Sequence, residues 1–287
     1  MIWRCRDVSF DLAERPRVMG ILNVTPDSFS DGGRYMDANA AQARGLELLA
    51  QGADLLDLGG ESTRPGSPDV PADEQWRRLE PVLVGLRAAQ PEAALSIDTR
   101  SADVARRALA LGACIVNDVS ALSDPDMAGV VAEAGAGLVL MHMRGTPATM
   151  QRDTAYDDVS AEVATYLRLA LARAEAAGVA REAVALDPGI GFGKSAQGSL
   201  ELLARLPELA VLGRPVVVGA SRKSFLARLT DDEGPPQDRL AAGLAAAAIA
   251  VFEGAHILRV HDVAETVRAV RIAAAAREAR RHSSSGI

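Results

Sequence analysis

The sequence predicts a (β/α)8 barrel built as a single α/β domain, and three observations support this fold class. Eight short apolar runs recur along the chain, and each is nearly continuous, as is typical of strands buried on both faces of a parallel sheet. Stretches with helical spacing of their apolar residues separate most of the runs. Polar residues stand at the carboxyl ends of nearly all runs, and in a closed barrel these ends meet at one mouth.

The predicted strands are each followed by polar, Gly or Pro residues. They are Val18–Val24, Leu55–Gly60, Ala94–Thr99, Cys114–Val119, Leu138–Met143, Ala183–Asp187, Pro215–Ala220 and Ala255–Val260. The predicted helices include Ala38–Gln51, Asp73–Ala89, Ser101–Leu111, Val159–Ala177, Gln237–Phe252 and Asp262–Ala279. Such alternation is also compatible with a doubly wound open sheet, which is the competing architecture.

The polar residues at the strand ends favour the barrel over the open sheet. An open sheet would spread them along an edge, whereas a barrel brings them together where its active site belongs. These residues are Asn23, Asp57, Asp98, Asn117, His142, Asp187, Ser221 with Lys223, and Arg259 with His261.

The length and composition are those of an ordinary globular chain. Its 287 residues are 48% hydrophobic and 24% charged, which is enough to bury a substantial core. We expect one domain over residues 1–279, with a short N-terminal extension before the barrel. Residues 280–287, which include three serines, are expected to form a disordered tail.

Composition and charge exclude several classes of protein and predict a cytoplasmic location. No apolar run reaches the length of a transmembrane helix, and residues 1–16 lack the apolar core of a secretory signal. Cys5 and Cys114 lie far apart without a CxxC pattern, which excludes a disulfide scaffold and a zinc knuckle. The formal net charge of −7 argues against nucleic acid as the main partner.

The segment Arg239–Phe252 is apolar on nearly all of its faces. At about 14 residues it is too short to span a bilayer. It is therefore either a deeply packed outer helix or a subunit interface. Because exposure of this uncharged surface to water would be unfavourable, the segment predicts a homodimer.

Two loops rich in Gly, Pro, Ser and Asp follow the first two barrel strands, over Asn23–Gly33 and Gly59–Pro68. Such loops are often simple turns, but these two must lie at the barrel mouth. The first carries Phe29 among acidic residues, and the second places Arg64 beside Thr63. This combination is typical of a mobile lid that binds an anionic group.

Only two lysines, Lys194 and Lys223, accompany 29 arginines. Lysine is a compact point charge on a flexible stem, so both are candidates for a role that arginine cannot fill. Lys194 follows Gly193 as in a phosphate-binding P-loop, but Pro188 stands where that motif requires its first glycine. An ATP site is therefore not predicted, and the glycines before Lys194 instead let the backbone pass close to a flat ligand.

Seven motifs stand in the same order as in the dihydropteroate synthase family, which the chain resembles from Val18 to about Arg271. They are NVTPDSFSDGG, GGESTRPG, SIDTR, VNDVS, DPGIGFGK, GASRKSF and RVHDV. As a set they are highly specific. The resemblance implies a TIM barrel that condenses 6-hydroxymethyl-7,8-dihydropterin pyrophosphate with p-aminobenzoate, releasing pyrophosphate and forming 7,8-dihydropteroate.

The resemblance assigns Asp187 to the pterin, whose 2-amino group and neighbouring ring N–H form a double donor that one carboxylate accepts. Asp98 and Asn117 would contact the remaining ring nitrogens, although Asp98 is also placed to cap the helix beginning near Ser101. The other pterin contacts implied by the resemblance are Met141, Phe192 and Lys223.

The resemblance places p-aminobenzoate beside the pterin. The residues of this subsite would be Phe29, Thr63, Arg64, Pro65, Phe192 and Ser224. The carboxylate of the substrate would lie at Ser224 and the N-terminus of the helix behind it, and Asp31 would help to order the first loop as a lid.

The departing pyrophosphate carries several negative charges, for which the resemblance provides cationic partners. Arg259 and His261 are two residues apart on the last strand, hence on one face and roughly 7 Å apart, and Arg64 would close over them. Asn23 would supply a neutral oxygen to Mg²⁺ shared with pyrophosphate oxygens. We expect this anion subsite to be separable from the pterin contacts; the alternative is that Arg259 and His261 form a structural ion pair with helix caps.

The catalytic residues implied by the resemblance are Asp98, Asp187, Lys223, Arg259 and His261. Pyrophosphate would leave first, and the two carboxylates would stabilise the resulting cationic methylene group. The aniline nucleophile loses its proton only after attack, so His261 is interpreted as an anion ligand rather than as a general base.

Two other functions stay open at this point. A methyltetrahydrofolate–corrinoid methyltransferase would share the acid and amide contacts to a pterin, but it would have no use for Arg64, Arg259 and His261. A paralogue that only binds a pterin is the second alternative, although every mapped motif position carries a chemically competent residue.

Overall fold

The computed structural model describes residues 1–25, 34–62, 66–231 and 234–284. The strands in this part of the chain are β1 (Ile2–Cys5), β2 (Val8–Asp11), β3 (Arg17–Asn23), β4 (Leu55–Gly59), β5 (Ala94–Asp98), β6 (Ile115–Asp118), β7 (Gly137–Met141), β8 (Val184–Asp187), β9 (Val217–Val218) and β10 (Ile257–Val260).

Eight of these strands form one parallel sheet, in the order β8-β7-β6-β5-β4-β3-β10-β9. A parallel bridge between Leu186 of β8 and Val216, which directly precedes β9, joins the two ends of the sheet. The sheet therefore closes on itself, and the prediction of a (β/α)8 barrel is confirmed.

The helices between the strands are α1 (Arg34–Ala50), α2 (Ala72–Ala89), α3 (Ala102–Ala110), α4 (Met127–Ala134), α5 (Val159–Ala176), α6 (Ala196–Ala204), α7 (Ser224–Thr230), α8 (Leu240–Phe252) and α9 (Val263–Ser284). Among the described residues, no helix combines the length and apolar character needed to cross a bilayer.

The sequence prediction missed α4, α6 and α7, and it ended the last helix too early. The three missed helices have only seven to nine residues. The equally short α3 was predicted because its apolar residues recur on one face. Helix α9 continues through Ser284, so residues 280–284 are helical and the expectation that they belong to a disordered tail is wrong. Ala and Arg, which are strong helix formers, dominate α9 before this stretch, so the helix continues into it.

The register of the sheet brings the predicted polar residues side by side. Asp98 of β5 pairs with Asn117 of β6, and Met141 of β7 pairs with Asp187 of β8. Because the paired residues end their strands or lie within one residue of the end, their side chains lie at one end of the barrel.

The hairpin β1-β2 closes the opposite, amino-terminal end of the barrel. Trp3 is fully buried and donates a hydrogen bond from its indole nitrogen to the Ala183 carbonyl at 2.7 Å. Together with Phe10 and Leu12, it packs against residues at the amino-terminal ends of the barrel strands. The sequence predicted only a short N-terminal extension before the barrel. In the structure this extension forms the hairpin that plugs the barrel.

We expect Trp3→Ala to lower the free energy of unfolding by about 3–5 kcal/mol, because it leaves a large cavity in the plug. Since Trp3 lies at the end of the barrel away from the polar residues, any activity at that mouth should persist below the melting temperature. Urea unfolding measures the first effect. The exposed Ser9→Ala on the same hairpin is the control, and an equal loss in both variants would contradict a special role for Trp3.

Candidate active site

The carboxyl ends of five barrel strands, with the turn after β9, bring together most of the candidate residues that lie in the described part of the chain. Asp98, Asn117 and Asp187 are buried at the ends of β5, β6 and β8, and Arg259 lies in β10. Lys223 follows β9 and directly precedes α7. These side chains belong to one mouth, as the sequence predicts.

Arg259 forms two ion pairs in this mouth. Its Nε donates to Asp57 Oδ2 and its Nη2 to Asp98 Oδ2, both at 2.6 Å. Burial lowers the pKa of Arg259, but the two carboxylates outweigh that effect and raise it above its usual range. The guanidinium is therefore held as a cation between two acidic side chains.

In the structure, Arg259 is joined to the residues expected to contact the pterin, so the expected separation of the two subsites stays a prediction. Asp98, one of the expected pterin contacts, binds the guanidinium directly. His261 is not a partner in these bonds; its Nδ1 lies 3.1 Å from the Ser221 hydroxyl. Arg259 thus links the two groups of residues, because its long side chain reaches across the mouth to two acids.

The site also contains Asp57, a residue to which the sequence analysis assigned no role. It is fully buried, and its carboxylate accepts hydrogen bonds from Ser96 Oγ at 2.6 Å and from Asn117 Nδ2 at 2.9 Å, besides that from Arg259. These bonds satisfy the carboxylate, which a buried charge requires. They also turn the Asn117 amide so that its nitrogen faces Asp57. The only sequence signal was an acid inside an otherwise apolar strand.

Burial raises the pKa of the two acids that face the mouth. It raises the pKa of Asp98 to about 7, although the nearby Arg259 opposes the shift. Burial also raises the pKa of Asp187, against the nearby Lys223 and a hydrogen bond of 2.7 Å from the Gly189 N–H. Two carboxyl groups with raised pKa values in a cleft are a common mark of a functional site.

Lys223 lies between the acids and an aromatic ring. Its Nζ lies 4.2 Å from the centroid of the Phe192 ring and donates to the Ile190 carbonyl at 2.5 Å. Burial lowers the pKa of Lys223 to about 7, although Asp187 opposes this shift. The ammonium is thus weakly solvated, and its stem lies along the ring.

An apolar wall stands beside these charged groups. Met141 and Phe192, two of the expected pterin contacts, are buried in one cluster with Val119, Met143 and Met150. Apolar and sulfur-containing side chains form a soft surface for a flat ring. The mouth therefore combines a polar edge with an apolar side, as a planar heterocycle requires.

The structure describes only some of the residues expected at the anion and p-aminobenzoate subsites. Asn23 is the last residue of β3. Its side-chain oxygen lies beside Gly59 of β4, 3.6 Å from where a β-carbon on that glycine would be. Ser224 is exposed as the first residue of α7. The other expected residues lie outside the described part of the chain; they are Phe29, Asp31, Thr63, Arg64 and Pro65.

Comparison with known proteins agrees with this geometry. The model of a family described as pterin binding enzymes matches residues 19–261. The dihydropteroate synthase of Escherichia coli K12 is 47% identical over 264 residues, covering 92% of each chain.

Two solved structures of Xanthomonas albilineans dihydropteroate synthase share the fold. The one with 4-aminobenzoic acid has a TM-score of 0.89 and 46% identity, and covers 96% of this chain and 97% of the other. The one with 7,8-dihydropteroate has a TM-score of 0.86 and 43% identity, with coverage of 96% and 98%. The chain therefore belongs to the pterin-binding enzyme family, and within it to the dihydropteroate synthases, transferases of folate biosynthesis.

Proposed function

We propose that the barrel mouth joins 6-hydroxymethyl-7,8-dihydropterin pyrophosphate to p-aminobenzoate, using the residues described above in defined roles. The observation that carries the proposal is the pair of buried acids, Asp98 and Asp187, facing one cleft that also holds Lys223 and Arg259. The solved relatives with 4-aminobenzoic acid and 7,8-dihydropteroate support both substrates.

The pterin lies against the polar edge of the mouth. Asp187 accepts hydrogen bonds from the 2-amino group and the adjacent ring N–H, and Asp98 and Asn117 contact the remaining ring nitrogens. Since the Asn117 amide nitrogen faces Asp57, its carbonyl oxygen is left as an acceptor for the ring. Met141 and Phe192 cover a face of the pterin.

Pyrophosphate leaves before the new bond forms. The electron pair of the breaking C–O bond goes to the pyrophosphate oxygen, and the methylene carbon becomes cationic in conjugation with the ring. Asp98 and Asp187 stabilise that charge electrostatically from fixed positions, and the charge of Lys223 lowers the pKa of Asp187 against the effect of burial. The aniline nitrogen then attacks, and its proton leaves afterwards, so the reaction requires no strong base.

The negative charge of the leaving group is met by His261, by Arg259 and by Arg64 of the second loop. Arg259 already carries two carboxylate partners, so its contribution to anion binding is through donors not bound to those acids. In the proposal, His261 and Arg64 therefore offset more of the negative charge of pyrophosphate than the sequence analysis expected.

Asn23 is the residue proposed to hold Mg²⁺. A single neutral oxygen fits an ion whose other ligands are pyrophosphate oxygens and water, as is common for Mg²⁺. Within residues 1–25, 34–62, 66–231 and 234–284, no group of three or more His, Cys, Asp or Glu side chains could form a cage for a metal instead. When bound, Mg²⁺ would offset the charge that develops on pyrophosphate.

p-Aminobenzoate is proposed to bind second. Phe192 and Ser224 are the members of its subsite that lie in the described part of the chain. The others belong to the two loops at the mouth, with Asp31 ordering the lid. Because those loops would close around pyrophosphate and Mg²⁺, p-aminobenzoate alone should bind weakly.

A homodimer in the cytoplasm completes the proposal. Helices α8 and α9 pack side by side, and they leave apolar side chains in water, with Ile249 exposed by 45% and Ile272 by 75%. A second copy of the chain would cover this surface. Both cysteines, Cys5 and Cys114, are buried thiols, as suits a reducing compartment.

The proposed reaction predicts release of pyrophosphate that depends on p-aminobenzoate and is lost in Asp187→Asn. The substitution replaces a double acceptor by one acceptor and one misplaced donor, so affinity for a pterin should fall by about tenfold or more. A coupled pyrophosphate assay and calorimetry with 6-hydroxymethylpterin measure the two effects. Release that does not need p-aminobenzoate would contradict the proposed reaction.

Arg259→Gln and His261→Gln should differ in their effect on a pterin without phosphates. Loss of Arg259 leaves Asp57 and Asp98 unpaired, so 6-hydroxymethylpterin should bind at least about tenfold more weakly. His261→Gln should reduce affinity only for the pyrophosphate ester, by about ten- to a hundredfold. Titration of each variant with both ligands checks this, and equal losses of the phosphate-free pterin in both variants would refute the assignment.

Light scattering should give twice the 30.0 kDa mass of one chain. Ile272→Glu, which puts a charge into the apolar surface of α8 and α9, should shift the protein toward the monomer. Val211→Glu is the matched control, because Val211 is 79% exposed in another part of the fold. A monomeric wild type at micromolar concentration would contradict the predicted homodimer.

A further inference from the structure

The loop Gly189–Gly193 follows Asp187 and carries Phe192, and each of its five carbonyls accepts a hydrogen bond from a side chain. The donors are Lys194 to Gly189 and Phe192, Lys223 to Ile190, Gln151 to Gly191 and Tyr156 to Gly193. Loop carbonyls are normally left to water at a protein surface. This loop is instead held by protein groups along its whole length.

Lys194 makes the largest share of these bonds. Its side chain is buried, with the residue only 3% exposed, and Nζ lies 2.9 Å from each of three acceptors. These are His142 Nδ1, the Gly189 carbonyl and the Phe192 carbonyl. Burial lowers the pKa of Lys194 well below its usual value, although the nearby Asp187 opposes the shift. As an ammonium, Lys194 has three N–H donors, and each of them has a partner within the protein.

The histidine partner is suited to accept rather than to donate. Burial lowers the pKa of His142 to about 3, and the charge of Lys194 adds to the shift. The imidazole therefore stays neutral, and in the tautomer with its proton on Nε2 the Nδ1 atom accepts from Lys194. The ring is also fixed by the edge of Tyr166, at 4.8 Å between ring centroids.

The loop lies against the backbone of this histidine, which directly follows β7. Gly189 has a φ of +67°, and a β-carbon there would lie 1.9 Å from the His142 carbonyl oxygen. Only glycine fits such a close approach of two backbones. Lys194 thus joins His142, at the end of β7, to Gly189 and Phe192, the two ends of a tight turn. This turn has no room for a side chain at Gly189.

The same turn sets the position of two groups in the active site. The Gly189 N–H donates to Asp187 Oδ1 at 2.7 Å, and the Phe192 ring lies under the ammonium of Lys223. Holding the carbonyls of Gly189 and Phe192 therefore orients the acid and the ring together. The Lys194 ammonium itself is directed into the protein, which removes it from contact with a ligand.

We propose that Lys194 is a positioning residue, whose buried ammonium fixes the Gly189–Gly193 loop so that Asp187 and Phe192 face the bound pterin. The inference rests on the proposed roles of those two residues in pterin binding. It also explains the retention of a lysine in a chain with 29 arginines. Three acceptors converge on one compact nitrogen, whereas a guanidinium spreads its donors over a planar fork.

The test compares Lys194→Met with the wild type. Methionine has a similar length and no donor, so it removes the side-chain donor from both carbonyls. The Phe192 carbonyl then loses its Lys194 partner, and the Gly189 carbonyl keeps only the Phe192 N–H at 3.0 Å. We expect the affinity for 6-hydroxymethylpterin, measured by calorimetry, to fall by about tenfold or more. We also expect faster amide hydrogen exchange in a peptide covering residues 189–194 of the ligand-free protein, with no change in the strands of the barrel.

Arg87→Met is the matched control. Arg87 also binds backbone carbonyls, those of Pro91, Ala93 and Gly112, but at the amino-terminal end of the barrel. This variant should lose stability while keeping wild-type affinity for the pterin. Equal losses of affinity in Lys194→Met and Arg87→Met would show that Lys194 acts only through global stability, which would overturn the proposal.

Lys194→Arg keeps the charge and serves if the methionine variant does not fold. It should also bind the pterin more weakly than the wild type, because the fork does not match the three acceptors. Wild-type affinity and unchanged exchange in either folded variant would overturn the proposal. Failure of the proposed function is seen separately, as a wild type that releases no pyrophosphate with p-aminobenzoate present.

Discussion

The mouth of this barrel is organised by one buried cation between two buried carboxylates. Arg259 of β10 bridges Asp57 of β4 and Asp98 of β5, and so joins strands that are not adjacent in the sheet. Burial of three charges is unfavourable unless hydrogen bonds satisfy them. Ser96 and Asn117 provide those bonds for Asp57, and the amide of Asn117 acquires a fixed orientation as a result.

This arrangement holds the charged side chains of the site in position before a substrate binds. The acids that face the mouth have raised pKa values because they are buried, while Arg259 and Lys223 oppose the shift at Asp98 and Asp187 respectively. In the proposed reaction, groups held in this way would not need to reorganise as positive charge develops on the pterin, and such preorganisation is a main source of electrostatic stabilisation in enzymes. The proposed reaction thus depends on charged side chains held in fixed positions and not on a strong base.

The two ends of the barrel differ in what fills them: one holds an apolar plug and the other holds the candidate active site. At the amino-terminal end, Trp3 and its hairpin fill the barrel with an apolar plug. At the carboxyl-terminal end, polar side chains and a glycine-rich loop replace the apolar filling. The loop Gly189–Gly193 is held by hydrogen bonds to its carbonyls as well as by the packing of Ile190 and Phe192. Lys194 and Lys223, the only lysines of the chain, both take part.

The sequence by itself determined the barrel, the positions of its strands and the strand ends at which the site lies. These features are local, since apolar runs, helical spacing and a polar residue after each strand are read within a few residues. Ordered motifs then identified Asp98, Asn117, Asp187 and Lys223 as one site. The N-terminal plug and the length of α9 were not predicted, because a short hairpin and a polar helix end carry little local signal.

Only the tertiary structure decided which of these groups bind one another. Arg259 and Asp57 are 202 residues apart, and Lys194 and His142 are 52 apart. No pattern in the sequence indicates that the arginine forms ion pairs with these two acids, or that the lysine faces inward. Such pairings depend on closure of the barrel, which sets the distance between side chains from strands far apart in the chain, and on burial, which makes an unpaired charge too costly to leave alone.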